Sequence, residues 1–161
     1  MALKFQLSET IHSERVDTVR LGNTGAANLY SDAEVGKFAK LTADSRYVLS
    51  TAGDPIESII TSVNVGTYDG YSIGGIVRRG MKEVILDGLQ ATPGTGTVAV
   101  GDLVVVGTVV AKDTALSLGT FKTAPKVCKA TAQTPALHNW RVEALLDGNG
   151  NVGSRAIIVR I

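Results

Sequence analysis

Short runs of alternating or continuous hydrophobic residues recur along the chain, and they predict β-strands. The runs cover residues 37–41, 47–51, 58–65, 71–77, 83–86, 98–110, 140–146 and 154–161. Residues 147–150 (Asp-Gly-Asn-Gly) predict a hairpin between the last two runs, because Gly and Asn tolerate a positive φ. The Pro- and Gly-containing stretch 91–97 predicts a loop, and 111–118 and 131–138 are candidates for short helices. Short strands separated by turns are typical of a β-sandwich or barrel.

The first 34 residues have a different pattern from the rest. Leu3, Phe5 and Leu7 alternate with polar residues, and a polar stretch and a Gly/Asn-rich stretch follow them. The alternation indicates an extended strand, which is either a first core strand or an arm that pairs with a neighbouring chain by strand addition. We predict an arm and loop over residues 1–34 and a β-domain over residues 35–161. We assign Leu3, Phe5 and Leu7 to partner binding.

The composition supports a single all-β domain. Val, Ile and Thr contribute 45 of the 161 residues, whereas Glu and Gln contribute nine. Branched side chains lose rotamer freedom in helices and pack well on a sheet. We therefore predict a single-domain β-sandwich or barrel, jelly-roll-like or related, with an extended N-terminal arm.

Charge and hydropathy restrict the partners. A net charge of +1 argues against a nucleic-acid partner, whose phosphates demand a concentrated positive surface. No apolar run approaches the roughly 20 residues that a membrane-spanning helix needs, so we expect no membrane partner. The start of the chain lacks the pattern of a secretory signal, and one cysteine, Cys128, cannot form an internal disulfide. Both features fit synthesis in a reducing cytoplasm.

One motif points to catalysis. Residues 70–74 match G-x-S-x-G, the nucleophile elbow of α/β-hydrolases, with Ser72 as nucleophile, and Asp87 or Asp102 and then His138 follow in the order of a catalytic triad. The elbow requires a helix directly after the serine, but the sequence after Ser72 is rich in Gly and Arg and has no amphipathic helical pattern. A serine hydrolase is therefore a minor alternative. We predict no enzymatic activity.

Other candidate sites are weaker. His12, His138 and Cys128 are not grouped at metal-ligand spacing, so we predict no metal and no cofactor. The 147–151 stretch resembles the start of a calcium loop but lacks its later glycine and glutamate. Trp140, near His138, could form a sugar-stacking surface, although a lone Trp at a strand start is more often core or interface. The sequence also has a mild positive bias, which is either solvated charge or a patch that meets an acidic protein surface; it comprises Arg78, Arg79, Lys112, Lys122, Lys126 and Lys129.

Two stretches resemble the head decoration, or cement, proteins of tailed bacteriophages. Residues 35–65 contain G-K-F-A-K-L-T and A-G-D-P-I, and residues 100–110 contain G-D-L-V-V-V-G. The resemblance spans roughly residues 35–110, about half of the chain. At the matching positions, the residues that it implies to be turn-formers are Gly53, Asp54, Pro55, Gly101, Asp102 and Gly107.

The resemblance implies a non-enzymatic structural role. Proteins of this class bind the outer surface of the expanded capsid as symmetric oligomers that bridge neighbouring major capsid protein subunits and stabilise the shell. It implies a homodimer or homotrimer on the outside of the virion. The arm lies outside the matching stretches, so the assignment of Leu3, Phe5 and Leu7 to capsid or partner contacts rests on their alternation pattern alone. The alternative is another virion component, such as a tail or fibre-associated module that could bind glycans.

Overall fold

A computed structural model describes residues 16–22, 30–64, 72–109 and 124–161. Within these ranges the chain is almost entirely β-structure, which confirms the predicted β-sandwich or barrel-like domain. The strands are β1 (Val16–Leu21), β2 (Phe38–Leu41), β3 (Arg46–Leu49), β4 (Ser58–Asn64), β5 (Ser72–Val77), β6 (Met81–Leu89), β7 (Thr92–Pro93), β8 (Val104–Val106), β9 (Lys126–Lys129), β10 (Trp140–Leu145) and β11 (Arg155–Arg160). One 3₁₀ turn, Asp32–Glu34, precedes β2. None of the helical structure in the described ranges is long and apolar enough to cross a membrane.

The first five strands form a closed barrel in the order β1-β3-β2-β4-β5. β1 closes it, because it pairs in parallel with β3 and antiparallel with β5. A cluster of buried side chains fills the interior and comprises Leu21, Tyr30, Ala39, Tyr47, Ile60, Val63 and Ile76. Closure leaves the described barrel strands with a neighbour on both sides, which removes exposed sheet edges.

The barrel includes part of the segment that we predicted as arm and loop. Val16–Leu21 lies within residues 1–34, yet it forms β1. Its inward positions are Asp17, Val19 and Leu21, and only Leu21 is fully buried, so the sequence shows little of the apolar alternation that identifies a strand. The β-structure therefore starts before the predicted boundary at residue 35.

The second sheet has six strands and curls back on itself. Its order is β10-β11-β6-β9-β8, with the two-residue β7 paired to β6. Leu103, directly before β8, bridges Arg141 of β10, and Gly101 N donates to Val142 O at 2.8 Å. The first and last strands of the sheet therefore approach one another around a buried core that includes Trp140.

The barrel and the second sheet meet at a hydrogen-bonded junction. Gly53 N donates to Val106 O at 2.8 Å, and Val106 N donates to Asp54 O at 3.0 Å. The Asp54 carboxylate accepts from Lys40 Nζ at 2.6 Å and from Thr51 N at 2.7 Å, which fixes the turn that makes these bonds. The side chains behind this junction belong to one core.

That shared core mixes residues of both sheets. Phe38, Ile56 and Ile59 come from the barrel segment and are at most 4% exposed. They belong to the same buried cluster as Val104, Val106, Trp140 and Ile158 of the second sheet. The two sheets thus bury apolar surface against each other, and neither forms a separate core on this side.

Several predicted elements differ from the structure. Within the described part of the run 98–110, which ends at residue 109, the only strand is the three-residue β8, since Gly101 has a φ of +91° and Asp102 Oδ2 accepts from Ala99 N in a turn. Residues 131–138 form turns and no helix, and 111–118 lies outside the described residues. β9, with a lysine at each end, was not predicted, whereas the predicted hairpin of β10 and β11 is confirmed.

Two adjacent glycines allow the barrel to close. Gly74 and Gly75 are buried in β5 between β1 and β4. A Cβ on Gly74 would overlap Ser62 O and Leu21 Cδ1, and a Cβ on Gly75 would lie 2.7 Å from Val16 Cγ1. Gly74, the last residue of the G-x-S-x-G motif, and the adjacent Gly75 are therefore needed for the close packing of β5 against β1 and β4.

We predict that Gly74→Val destabilises the protein strongly. The added side chain would meet backbone on one side and the barrel core on the other, so the free energy of unfolding should fall by at least about 2 kcal/mol. Denaturant unfolding measures this change. Ile73→Val, at the neighbouring exposed position, is the control and should change stability by less than about 0.5 kcal/mol. An equally small effect of Gly74→Val would contradict the packing described here.

Candidate functional site

Ser72 is a structural residue in this fold. Its side chain is fully buried at the start of β5. The hydroxyl donates to Tyr30 O at 3.1 Å and accepts from Tyr30 N at 2.9 Å, so it holds the chain that leads into the 3₁₀ turn. A nucleophile elbow places the serine between a strand and a helix, whereas Ser72 begins a strand that the turn at residues 78–80 connects to β6. This geometry fits a buried structural serine whose hydroxyl fixes the backbone of Tyr30.

Asp87 and Asp102, the acidic candidates for the triad, are also engaged in structural hydrogen bonds and ion pairs. Asp87 Oδ2 accepts from Thr108 N at 2.8 Å, and Lys126 Nζ lies 3.5 Å from Asp87 Oδ1. Asp102 pairs with Lys129 Nζ at 2.9 Å. Among the described residues, no hydrogen bond joins Ser72, Asp87, Asp102 and His138 to one another. The structure therefore does not bring these sequence candidates together as a triad.

Asp87 is held ionised by its neighbours. Burial alone would raise the pKa of this carboxyl, but hydrogen bonds from Thr108 and the nearby Lys126 ammonium outweigh burial and lower the pKa below its ordinary value. Cys128 lies beside it, with Sγ 3.5 Å from Asp87 O. Burial, together with the Asp87 charge, raises the pKa of the Cys128 thiol to about 11. Cys128 is therefore a packed thiol of low reactivity.

Trp140 and His138 are not a sugar-binding surface. Trp140 is 1% exposed and belongs to the core of the second sheet, so its ring cannot stack on a ligand. His138 is 9% exposed, and its Nδ1 has no hydrogen-bond partner among the described residues. The structure therefore supports the interpretation of Trp140 as a core residue.

The 147–151 loop is braced by its own side chains. Asp147 accepts from Arg155 N at 2.8 Å and from its guanidinium, and Asn149 Oδ1 accepts from Ser154 Oγ at 2.6 Å. The described part of the chain contains no group of three or more His, Cys, Asp or Glu side chains that could hold a metal ion. The resemblance to a calcium loop therefore reflects hairpin chemistry.

The predicted partner-binding residues Leu3, Phe5 and Leu7 lie outside the described residues. Exposed apolar side chains are present within them, however. On the outer face of the barrel, Val16 is 53% exposed and Ile73, on the adjacent strand, is 39% exposed. Periodicity did not single out Val16, because the other outward positions of β1, Thr18 and Arg20, are polar.

The basic residues noted in the sequence differ in their surroundings. Arg78 is held by Tyr47, since Nη2 donates to the phenol oxygen at 2.6 Å and the guanidinium lies 5.6 Å from the ring centroid. Lys126 and Lys129 form the ion pairs described above. Arg79 is exposed and has no carboxylate partner among the described residues. Lys112 and Lys122 lie outside them.

Arg79 belongs to a cluster that we call the cationic end, which comprises Arg79, Lys82, Arg160, Val159 and Ile161. β6 and β11 bring it together, because Lys82 is in register with Ile158 and Arg160 N donates to Gly80 O at 3.4 Å. Four of these residues and Gly80 line an open concavity of about 460 Å³; the four are Arg79, Val159, Arg160 and Ile161. Sequence reasoning found Arg79 but missed Lys82, three residues further along the chain, and Arg160, which approaches them only through the pairing of β11 with β6.

Comparison of the chain with protein-family models, with curated proteins and with solved structures found no match.

We predict that Asp87 contributes to stability above pH 4 and that the contribution disappears in acid. Its folded-state pKa is lowered, so the stabilisation is present above the unfolded-state pKa of about 3.9 and is lost as the pH falls through the folded-state value. Asp87→Asn should lower the free energy of unfolding by about 1–2 kcal/mol at pH 7. The difference from wild type should shrink below pH 4. Denaturant unfolding between pH 2 and 7 tests this.

The exposed carboxyl of Glu143 provides the control for Asp87. Glu143→Gln also removes one negative charge but should change stability by less than about 0.5 kcal/mol. A difference between wild type and Asp87→Asn that stays constant from pH 7 to pH 2 would show that the Asp87 charge does not stabilise the fold.

We also predict that Cys128 resists thiol reagents in the folded protein. With a pKa of about 11, roughly one part in a thousand is thiolate at pH 8, and burial further blocks access. Reaction with an aromatic disulfide reagent should be slow until denaturant unfolds the chain. An exposed thiol introduced by Asn151→Cys in a Cys128→Ser background should react rapidly without denaturant. Equal rates for the two folded proteins would contradict the burial of Cys128.

Proposed function

We propose that this protein is a decoration, or cement, protein of a tailed-phage head, which binds the outer surface of the expanded shell and bridges major capsid protein subunits. The observation that carries the proposal is the contact between the two stretches that resemble this class. The turn at Gly53 and Asp54 exchanges two backbone hydrogen bonds with Val106, about 50 residues away in sequence. The two stretches thus form one structural unit, which favours a resemblance in fold over a coincidence of two short motifs.

The construction of that unit suits a cementing role. The turn is held by the Asp54 carboxylate, and the shared core lies directly behind it. A cement protein contributes many identical weak contacts, and multivalency makes them effective only if each copy presents its contacts in a fixed geometry. Binding that occurs only on the expanded shell stabilises that state by mass action.

The roles of the polar side chains also favour a structural protein. Ser72, Asp87 and Asp102 each hold a neighbouring backbone segment, as described above. Groups engaged in this way are not available to bind a reactant. No observation favours the alternative of a glycan-binding tail module, and the burial of Trp140 removes the residue on which stacking was suggested.

Association with further copies would use exposed apolar surface. Val16 and Ile73 provide such surface on the outer face of the barrel, where Val16 lies over Gly75. In the proposed role, a homodimer or homotrimer would present Leu3, Phe5 and Leu7 to the capsid or to a neighbouring copy. A closed oligomer that touches several capsid subunits gains affinity from effective concentration.

We predict saturable cosedimentation of the purified protein with expanded heads of its phage and no cosedimentation with unexpanded proheads. Replacing Leu3, Phe5 and Leu7 together by Ser should abolish attachment while preserving the β circular-dichroism spectrum. Substitution is preferable to deletion, because a deletion that reached Arg20 would remove β1 and open the barrel.

The matched control replaces the alternate positions of the same segment. A variant with Lys4→Ser, Gln6→Ser and Ser8→Ala should still bind, since the period-2 pattern assigns binding to the other face. Absence of wild-type binding to either particle would overturn the proposed function. Full binding by the variant in which Leu3, Phe5 and Leu7 are replaced would overturn only the role of the arm and would leave the decoration function standing.

A further inference from the structure

We infer that the cationic end is a docking surface for an acidic segment of a protein partner. In the proposed function, on which this identification of the partner rests, that segment belongs to the major capsid protein. The inference starts from the distribution of ion pairs in the described part of the chain. Most cations are matched by a carboxylate, whereas those at the cationic end are not.

The matched cations are found across both sheets. A carboxylate oxygen lies within 3.9 Å of each of Lys37, Lys40, Arg46, Arg78, Lys126, Lys129, Arg141 and Arg155. Arg79 and Lys82 have no such partner among the described residues. Arg160 donates from Nη1 to a carbonyl, Arg78 O, at 2.5 Å and also has no carboxylate partner there. Three uncompensated cations at one end of one sheet form a local positive surface on a chain of net charge +1.

The cations are held by rigid elements. Lys82 and Arg160 lie on paired strands β6 and β11, and Arg79 occupies the short turn that leads into β6. Arg160 is fixed by its bond to Arg78 O, and Arg78 is itself held by Tyr47 and lies 3.7 Å from Asp17. A guanidinium on a preorganised scaffold can bind a carboxylate through two parallel hydrogen bonds. The arrangement therefore favours carboxylate recognition over a diffuse charge effect.

The surroundings of the cations indicate a protein segment. Val159 lines the concavity, and Ile161, which is 52% exposed, forms its rim. Ile161 N donates to Asn139 O at 2.8 Å, which places the 137–139 turn, with its 59% exposed Leu137, next to this rim. A nucleic acid would require a longer track of cations than these three. A segment that combines acidic and apolar side chains matches both the charge and the apolar surface.

The first test uses a chemical probe that does not depend on a phage. Fluorescently labelled poly-L-glutamate should bind the wild-type protein at low salt, and the binding should weaken as salt rises. Arg79→Glu and Lys82→Glu should each weaken binding by about tenfold or more. The matched control is Arg141→Glu, which makes the same change in net charge at an exposed, ion-paired position and should change the affinity by less than about twofold.

Two results of the probe experiment would overturn the inference. One is an equal loss of binding in Arg141→Glu and Arg79→Glu, which would show an effect of net charge only. The other is tighter binding of duplex DNA than of poly-L-glutamate at equal charge concentration, which would show a phosphate surface. Circular dichroism and thermal unfolding of each variant confirm that the fold is retained.

Cosedimentation with expanded heads separates this inference from the proposed function. Loss of head binding in Arg79→Glu, with retention in Arg141→Glu, supports both. Equal binding of wild type and Arg79→Glu to heads overturns the docking surface while the decoration role stands. If wild type binds poly-L-glutamate through Arg79 but does not bind heads, the decoration role and its capsid partner are overturned and the acidic-segment site stands.

Discussion

The exchange of hydrogen bonds between the 53–54 turn and Val106 is the constraint on which the rest of the structure depends. It joins a closed barrel to a curled sheet at a point where both contribute to one core. These bonds fix β8 against the barrel at the point where Phe38, Ile56 and Ile59 pack on Val104 and Val106. Asp54 stabilises this junction, because its carboxylate fixes the turn while its carbonyl accepts from Val106 N of the other sheet.

The all-β fold class and most of the strands were predictable because their patterns are local. β2, β3, β4, β5, β10 and β11 coincide closely with runs of alternating or apolar residues, and the β10–β11 turn follows from its Asp-Gly-Asn-Gly sequence. β1 and β9 were not predictable in this way. β1 has charged residues at two interior positions, Asp17 and Arg20, and β9 has a lysine at each end. Each becomes a strand through pairing with distant partners.

The candidate site shows the same division between local and long-range information. The G-x-S-x-G motif was visible, but its last glycine, Gly74, is required by the close approach of β1 and β4, and its serine holds Tyr30. Arg79 was visible as one of two adjacent arginines. Lys82 lies three residues after it and was overlooked, whereas Arg160 joins both only because β6 and β11 pair antiparallel. The contribution of Arg160, which depends on strand register, leaves no signature in one sequence.

The closing of the barrel by β1 has a consequence for how the chain is made. β1 pairs along its whole length with β5, where Val16 meets Val77, so the strand emerges from the ribosome about 60 residues before its partner does. At typical rates of synthesis this interval is roughly 3–12 s, far longer than the microseconds in which a hairpin forms. β2 and β3 can pair during that time, whereas β1 has no complete set of neighbours. β5, the last barrel strand to be synthesised, thus completes the pairing of β1, the first. Until then β1 stays available to other binding partners, such as a holdase chaperone.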